Sequence, residues 1–308
     1  MINIFYEILM FFSQRCGIWI FYIASWIIAT GYFFMFPTRV AVSVRFYRAL
    51  FPFRSASYHI LCAWRQFHRF THLYIDRYLL VHVNRITYST EGWDYLEKAV
   101  KQKTGGILLM SHIGNWEVAA QLLRARSVPL MLYMGEKNKE QIEGTQKENL
   151  KKKGIQVVAV TQENSSPVDI LEAIKFLKQG GIISMTGDRI WSLQQKTIQT
   201  TFLNHEITIP EAPHAIAVLT GVPLFVFFAF RTGLHKYHVV LKPPILLKAN
   251  SHIERKKMIR ISAGKYAQIL EAAVFKYPVE WYHFEPFLGP TIRSKSKECG
   301  CGKIDATD

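Results

Sequence analysis

The sequence predicts an α/β fold: a largely parallel central sheet flanked by helices with an antiparallel hairpin, preceded by an N-terminal membrane-anchoring helix. Three observations predict it. From about residue 105, short apolar runs alternate with helical patterns, the rhythm of βα units that build a parallel sheet. Two strand-like runs, Leu224–Phe230 and Tyr237–Leu241, flank Thr232-Gly233-Leu234-His235 and read as a hairpin. Near the N-terminus, a run of uncharged residues from Cys16 to Thr38 separates Arg15 from Arg39.

Within the N-terminal run, Gly17–Phe36 as one helix would cover about 30 Å, the depth of a bilayer core. Trp19, Trp26 and the aromatic residues at 32–36 suit a lipid–water interface. Glu7 and a lone Arg15 precede it and no small-residue cleavage site follows, which argues against a signal peptide. Length and lack of charge favour an anchor over a buried core helix; a spanning helix and one lying in the interface plane both fit. Residues 39–77 carry Arg39, Arg45, Arg48, Arg54, Arg65, Arg69 and Arg77 against a single acid, Asp76. The positive-inside bias then puts the rest of the chain on the cytoplasmic side. Arginines there attract anionic head groups, by about 1 kcal/mol each. The expected division is a membrane anchor over 1–38, one main domain over 39–293 and a flexible tail over 294–308.

Bulk composition agrees with that division. The chain has 308 residues, 49% of them hydrophobic and 14% aromatic, enough for a sizeable core and for contact with lipid. A net charge of +15 fits an anionic membrane, an acidic protein or nucleic acid. The arginines follow the apolar run directly, which suits membrane topology better than nucleic acid. Cys16, Cys62, Cys299 and Cys301 form neither a disulfide framework nor a zinc spacing, so a reducing compartment is expected.

The domain then unfolds in order. Residues 40–85 read as helical. Gly105–Ser111 is a buried strand, Asn115–Ala125 a helix with Asn115 as N-cap, and Val128–Met134 a strand. A charged helix follows at 138–152, then a strand at Ile155–Val160, a helix at Pro167–Lys178 and a strand at Gly181–Thr186. After the hairpin, Ser251-His252-Ile253-Glu254 has capping-box spacing. It opens a long helix with Ile259, Ala263, Tyr266, Leu270 and Val274 on one face, stopped by Pro278.

Chemistry concentrates in Ser111-His112-Ile113-Gly114-Asn115-Trp116-Glu117. His112 sits where a buried strand ends and a helix begins, at the edge where open α/β sheets bind ligands. With His112 in the turn and Glu117 in the first helical turns, the carboxylate could reach back to an imidazole nitrogen. That contact would fix the tautomer and leave the other nitrogen to take a proton from an alcohol. A lone His-x4-Glu match is a short pattern, and a histidine satisfied at a strand end is its ordinary reading; the strand, turn glycine and helix around it tip the balance.

These residues resemble a known family. The segment at 111–117 resembles the His-x4-Asp/Glu block of glycerolipid-type acyltransferases and, more narrowly, of the late (lauroyl/myristoyl) acyltransferases of lipid A biosynthesis. Three further blocks are similar, in order: Gly187-Asp188-Arg189 after a strand; the proline-containing stretch Ile209–Ala217 followed by Thr220-Gly221-Val222-Pro223; and Tyr277–Phe284. The resemblance implies acyl transfer from an acyl thioester to a hydroxyl, without a metal or cofactor, with His112 as general base and Glu117 as its orienting carboxylate. It implies an acyl carrier protein as donor, a lipid or glycolipid acceptor, the bacterial inner membrane with a cytoplasmic catalytic domain, and no nucleic acid. Asn115, Asp188 and Arg189 are the expected substrate-binding residues. Arg189 would hold an oxyanion or a phosphate; an ion pair between Asp188 and Arg189 capping a loop is the plainer reading. Ala212 and His214 depart from the family pattern, and residues 133–153, rich in Glu and Lys, give no clear match to the family's acceptor-side segment, which leaves the acceptor open. Acylation of another lipid or a polyene-type product, or a non-enzymatic basic protein that binds membrane or nucleic acid, are the other readings. No P-loop, G-x-G-x-x-G or G-x-S-x-G pattern occurs.

Overall fold

Local signals decide where each element starts and stops, and burial decides how the elements stack. The structure, a computed structural model, describes residues 9, 11–13, 15–82, 86–135, 156–160, 167–192 and 194–292. Helices α1 (Trp19–Met35), α2 (Pro37–Leu50) and α3 (Ala56–His82) precede the sheet. Pro37 takes the first helical position of α2, where its missing N–H costs nothing. α1 buries Phe21, Ser25 and Ala29, one residue per turn, and lies along α3 with Phe33 against Trp64 at 5.2 Å. Trp19, Ile23, Trp26, Ile27, Phe34 and Met35 stay exposed. The expected single helix over 17–36 is thus shorter, and it bends by 91° into α2 at Phe36. Among the described residues no single helix is long and apolar enough to cross a membrane, whereas the bent pair α1–α2 meets that test by length and composition.

The next elements follow as β1 (Thr87–Glu91), α4 (Trp93–Lys101), β2 (Gly106–Met110), α5 (Trp116–Ala125), β3 (Leu130–Gly135), β4 (Gln156–Val160), α6 (Pro167–Lys178) and β5 (Ile182–Thr186). Then come β6 (Thr197–Phe202), β7 (His205–Pro210), α7 (Ala212–Thr220), β8 (Leu224–Gly233), β9 (Lys236–Leu241), α8 (His252–Lys276) and β10 (Leu288–Thr291). Seven strands form one sheet in the order β1-β9-β8-β2-β5-β3-β4. Every pairing in it is parallel except the expected hairpin β8–β9. The hairpin turns on Leu234–His235, with His235 in the left-handed region at φ 59°.

Alternation along β2 and β8 splits the core into two layers. Leu108, Met110, Phe225 and Phe227 face α4 and α5, where Leu96, Val118 and Leu122 cover them. Ile107, Leu109, Val226 and Phe228 face α8, whose Ala263, Tyr266, Leu270 and Val274 are the buried face predicted from spacing. Ser251 caps α8 by accepting from the Glu254 N–H at 3.2 Å. A second, antiparallel sheet, β10-β7-β6, extends the same layer and goes beyond the expected hairpin. Its Thr-rich strands turn through Leu203–Asn204, both at positive φ, without the glycine that marks such turns. The expected helix at 138–152 and the tail at 294–308, with Cys299 and Cys301, lie outside the described residues.

Candidate active site

His112 lies two residues past β2 and Asp188 two residues past β5. These strands are parallel neighbours, and their register pairs Met110 with Thr186. Residues 112 and 188 therefore emerge side by side at the carboxyl edge of the sheet, where such folds bind ligands. The Asp188 carboxylate is 1% exposed and fully engaged. Its Oδ1 lies 2.7 Å from His112 Nδ1, while Oδ2 accepts from the His112 backbone N–H at 2.8 Å and from Trp281 Nε1 at 2.9 Å. Burial works to raise this carboxyl's pKa. The neighbouring His112 charge and hydrogen bond, with His283 and Trp281, outweigh burial and hold it well below the usual carboxylate range. An ionised partner on Nδ1 keeps the proton there and leaves Nε2 as the basic nitrogen. The His112 side chain is 21% exposed, so it can be approached from solvent.

The turn after His112 is held by backbone contacts. Gly114 has φ 70°, and a Cβ there would sit 2.0 Å from the Ala229 carbonyl oxygen, so only glycine fits. The Gly114 N–H donates to the Glu280 carbonyl at 2.8 Å, the Asn115 N–H to the Ala229 carbonyl at 2.9 Å, and the Tyr282 N–H to the His112 carbonyl at 2.8 Å. Asn115 is the N-cap of α5, as expected: its Oδ1 accepts from the N–H groups of Glu117 and Val118 at 3.1 and 3.3 Å. Its Nδ2 donates to the Tyr237 hydroxyl at 3.2 Å.

Helix α3 braces the residues that hold this turn, Glu280, Trp281 and Tyr237, rather than the turn itself. Gln66 donates to the Trp281 carbonyl, and Arg69 Nε donates to Glu280 at 2.6 Å. Asp76 accepts from Arg231 Nε at 2.9 Å and from the Tyr237 hydroxyl, which in turn receives Asn115. Asp76 is fully buried, and burial raises its pKa against the pull of Arg231. The lone acid of the arginine-rich segment thus partners an arginine 155 positions away.

Against the expected roles, several side chains are placed differently. Spacing put Glu117 on the imidazole; the carboxylate on Nδ1 is that of Asp188. Glu117 lies in the first turn of α5 and is 8% exposed. Asp188 and Asn115, expected to bind substrate, are buried with their polar atoms on protein partners. Arg189 Nε is buried and has no hydrogen-bond partner among the described residues. Its Nη2 lies 3.6 Å from Glu285, and its guanidinium sits over Trp191, whose ring is 6.4 Å from that of His112. The plainer reading of Asp188-Arg189 as a local ion pair is not what forms: each pairs elsewhere. Trp281 and His283 had no expected role. His283 is buried between the carbonyls of Asp188, 3.0 Å from Nε2, and Glu285, 3.1 Å from Nδ1; burial pushes its pKa down to about 4. Among the described residues no three His, Cys, Asp or Glu side chains gather to hold a metal ion.

A buried carboxylate fixing a histidine at a ligand-binding sheet edge, beside an arginine, suits proton abstraction from a hydroxyl and stabilisation of a developing anion. No curated protein matches the chain. The family model of bacterial lipid A biosynthesis acyltransferase matches residues 77–288, which include His112, Glu117, Asp188, Arg189 and Trp281. The match covers more than half of the chain, which therefore belongs to the bacterial lipid A biosynthesis acyltransferase family and is an acyltransferase.

Proposed function

We propose that the chain is a membrane-associated O-acyltransferase that moves a fatty acyl chain from an acyl carrier protein thioester to a hydroxyl of a lipid A precursor or related glycolipid. The observation that carries this reading is the 2.7 Å contact of His112 Nδ1 with Asp188 at the carboxyl edge of β2 and β5. His112 Nε2 takes the proton of the acceptor hydroxyl as its oxygen bonds to the thioester carbonyl carbon. The carbonyl oxygen becomes an oxyanion, stabilised by Arg189. The C–S bond then breaks, the carbonyl re-forms, and the leaving thiolate takes the proton back from His112. No metal is needed for these steps. Asp188 orients and charge-balances His112, and Glu117 supports the wall of the site from α5.

The net charge of +15 suits an acidic carrier protein and a phosphorylated acceptor. The exposed apolar side of α1, followed by Arg39, Arg45, Arg48 and Arg54, suits a bilayer with the catalytic domain on the cytoplasmic face of the inner membrane. Mass spectrometry of total lipids from cells with and without the protein tests the reading. One added acyl chain on a glycolipid, absent with His112→Ala, is the expected result; acylation undiminished in His112→Ala would sink the mechanism.

A further inference from the structure

The Asn115 amide is tied at both ends. Its Oδ1 accepts from the backbone N–H groups of Glu117 and Val118, which can only donate, so the oxygen must face α5 and the NH2 must face away. Nδ2 meets the Tyr237 hydroxyl at 3.2 Å. The phenol oxygen therefore accepts there, and its one hydrogen goes to Asp76. Arg231 Nε donates to both Asp76 oxygens, at 3.2 and 2.9 Å, and keeps that carboxyl an acceptor. Arg231 Nη1 also donates to His72 Nδ1 at 3.0 Å. Each link in the run Asn115–Tyr237–Asp76–Arg231 thus has a single direction, and all four side chains are buried.

Tertiary packing brings the run together. Arg231 and Tyr237 are cross-strand neighbours in the β8–β9 hairpin, Asp76 comes from α3, and Asn115 opens α5. Ala229, two residues before Arg231 in β8, accepts the Asn115 N–H through its carbonyl at 2.9 Å. The hairpin therefore holds Asn115 by its backbone and by its side chain. His112 lies three residues before Asn115, and Gly114 between them is bonded to the Glu280 carbonyl. A shift of Asn115 is carried to the imidazole through that short turn. Stability alone does not call for such a run. Buried ion pairs can often be replaced by apolar side chains without loss, whereas a fully satisfied network fixes one geometry. Geometry is what a base needs: misplacing a reacting group by about 1 Å costs about 100-fold in rate.

We propose that Tyr237, held by Asp76, is a positioning residue for acyl transfer: through Asn115 its hydroxyl sets where His112 Nε2 points. The proposal rests on the acyl-transfer reading of the His112 site. Tyr237→Phe keeps the ring and removes the hydroxyl. Asn115→Ser keeps an N-cap of similar strength but is too short to reach Tyr237. Each is expected to lower kcat for transfer from acyl carrier protein about tenfold or more, with KM for donor and acceptor unchanged. The two changes together should cost no more than the larger single loss, because both break one link. Leu241→Ala removes buried methylenes from the same strand, β9; it is expected to lower the melting temperature and leave kcat as in the unaltered chain. An unchanged kcat in Tyr237→Phe overturns the proposal. So do losses that multiply in the double variant, a KM that rises in step with the fall in kcat, or an equal fall in Leu241→Ala.

A measurement without turnover separates this proposal from the activity. Proton NMR of the full chain in detergent, with isotope-labelled histidine, identifies the His112 Nδ1 proton held by Asp188 through its loss in His112→Ala. Its exchange with solvent is expected to be about tenfold faster in Tyr237→Phe and in Asn115→Ser. That result supports the positioning role even where lipid analysis shows no acyl transfer. Exchange unchanged in both variants, with acyl transfer present in the unaltered chain, overturns the positioning role and leaves the activity standing.

Discussion

Replacing Asp188 by Asn removes one charge and almost no volume, so its effect is set by hydrogen-bond geometry. The carboxylate serves three donors: His112 Nδ1 on Oδ1, and the His112 N–H and Trp281 Nε1 on Oδ2. An amide has one oxygen. Turned towards Nδ1, it would press its NH2 against two fixed N–H donors at 2.8 and 2.9 Å. The other orientation wins: the amide oxygen takes the two donors and its NH2 faces Nδ1. Nδ1 must then accept, and the ring proton moves to Nε2, the nitrogen that has to act as base. The equivalent carboxylate-to-amide change beside other catalytic histidines costs about 10⁴-fold in turnover, or about 5.5 kcal/mol. We expect kcat for acyl transfer from acyl carrier protein to a lipid A precursor to fall about 10³–10⁴-fold. KM should change little, because the side chain is buried away from substrate. Glu117→Gln should cost much less. Asp188→Asn activity within about tenfold of the unaltered chain, with Glu117→Gln more damaging, would refute the assignment of Asp188 as the orienting carboxylate.

The same contacts carry three more predictions. Gly114→Ala drives a methyl group into the Ala229 carbonyl and strains a φ of 70°; both a clearly lowered melting temperature and loss of turnover are expected, read by thermal unfolding and assay. Asp76→Ala leaves Arg231 charged and buried, which should destabilise by about 3–5 kcal/mol in denaturant titration, whereas Asp76→Leu with Arg231→Met should recover much of the loss. Stability should also fall in mild acid. Burial lowers the pKa of His72 and of His214 to about 4. The unfolded chain protonates these rings near pH 6.5, so it binds more protons than the folded chain between pH 6.5 and 4. Their contribution is complete above pH 6.5 and is lost as pH falls to 4, by about 1.4 kcal/mol per pH unit for each ring. His214→Phe should flatten that slope by about one ring's share; an unchanged slope would show that His214 is not held neutral by the fold.

Much of the site was legible from local sequence, because its parts are close in the chain. The strand before His112, the left-handed turn at Gly114, the Asn115 cap and the helix behind it are set by contacts between residues a few positions apart. The same holds for the β8–β9 hairpin and the buried face of α8. The apolar character of α1 was equally plain, since it rests on composition; its 91° bend into α2 was not, since Pro37 at a helix start is compatible with several angles.

Local spacing could not supply the partner of His112. Spacing pointed to Glu117, five positions on, because that is the nearest carboxylate in the chain. Asp188 is 76 positions away, and it arrives on Nδ1 only because β5 is laid next to β2 with Met110 opposite Thr186. Trp281 and His283 reach Asp188, and Gln66, Arg69 and Asp76 reach the residues around it, from elsewhere in the chain, through strand order and helix packing. Sequence by itself determined the chemistry on offer: an imidazole at a strand end, a helix N-terminus and a basic, apolar-ended chain. The tertiary structure decided which carboxylate serves that imidazole. Hydrogen-bond partners across a sheet depend on register and strand order, and these are set by how all the apolar faces are buried together.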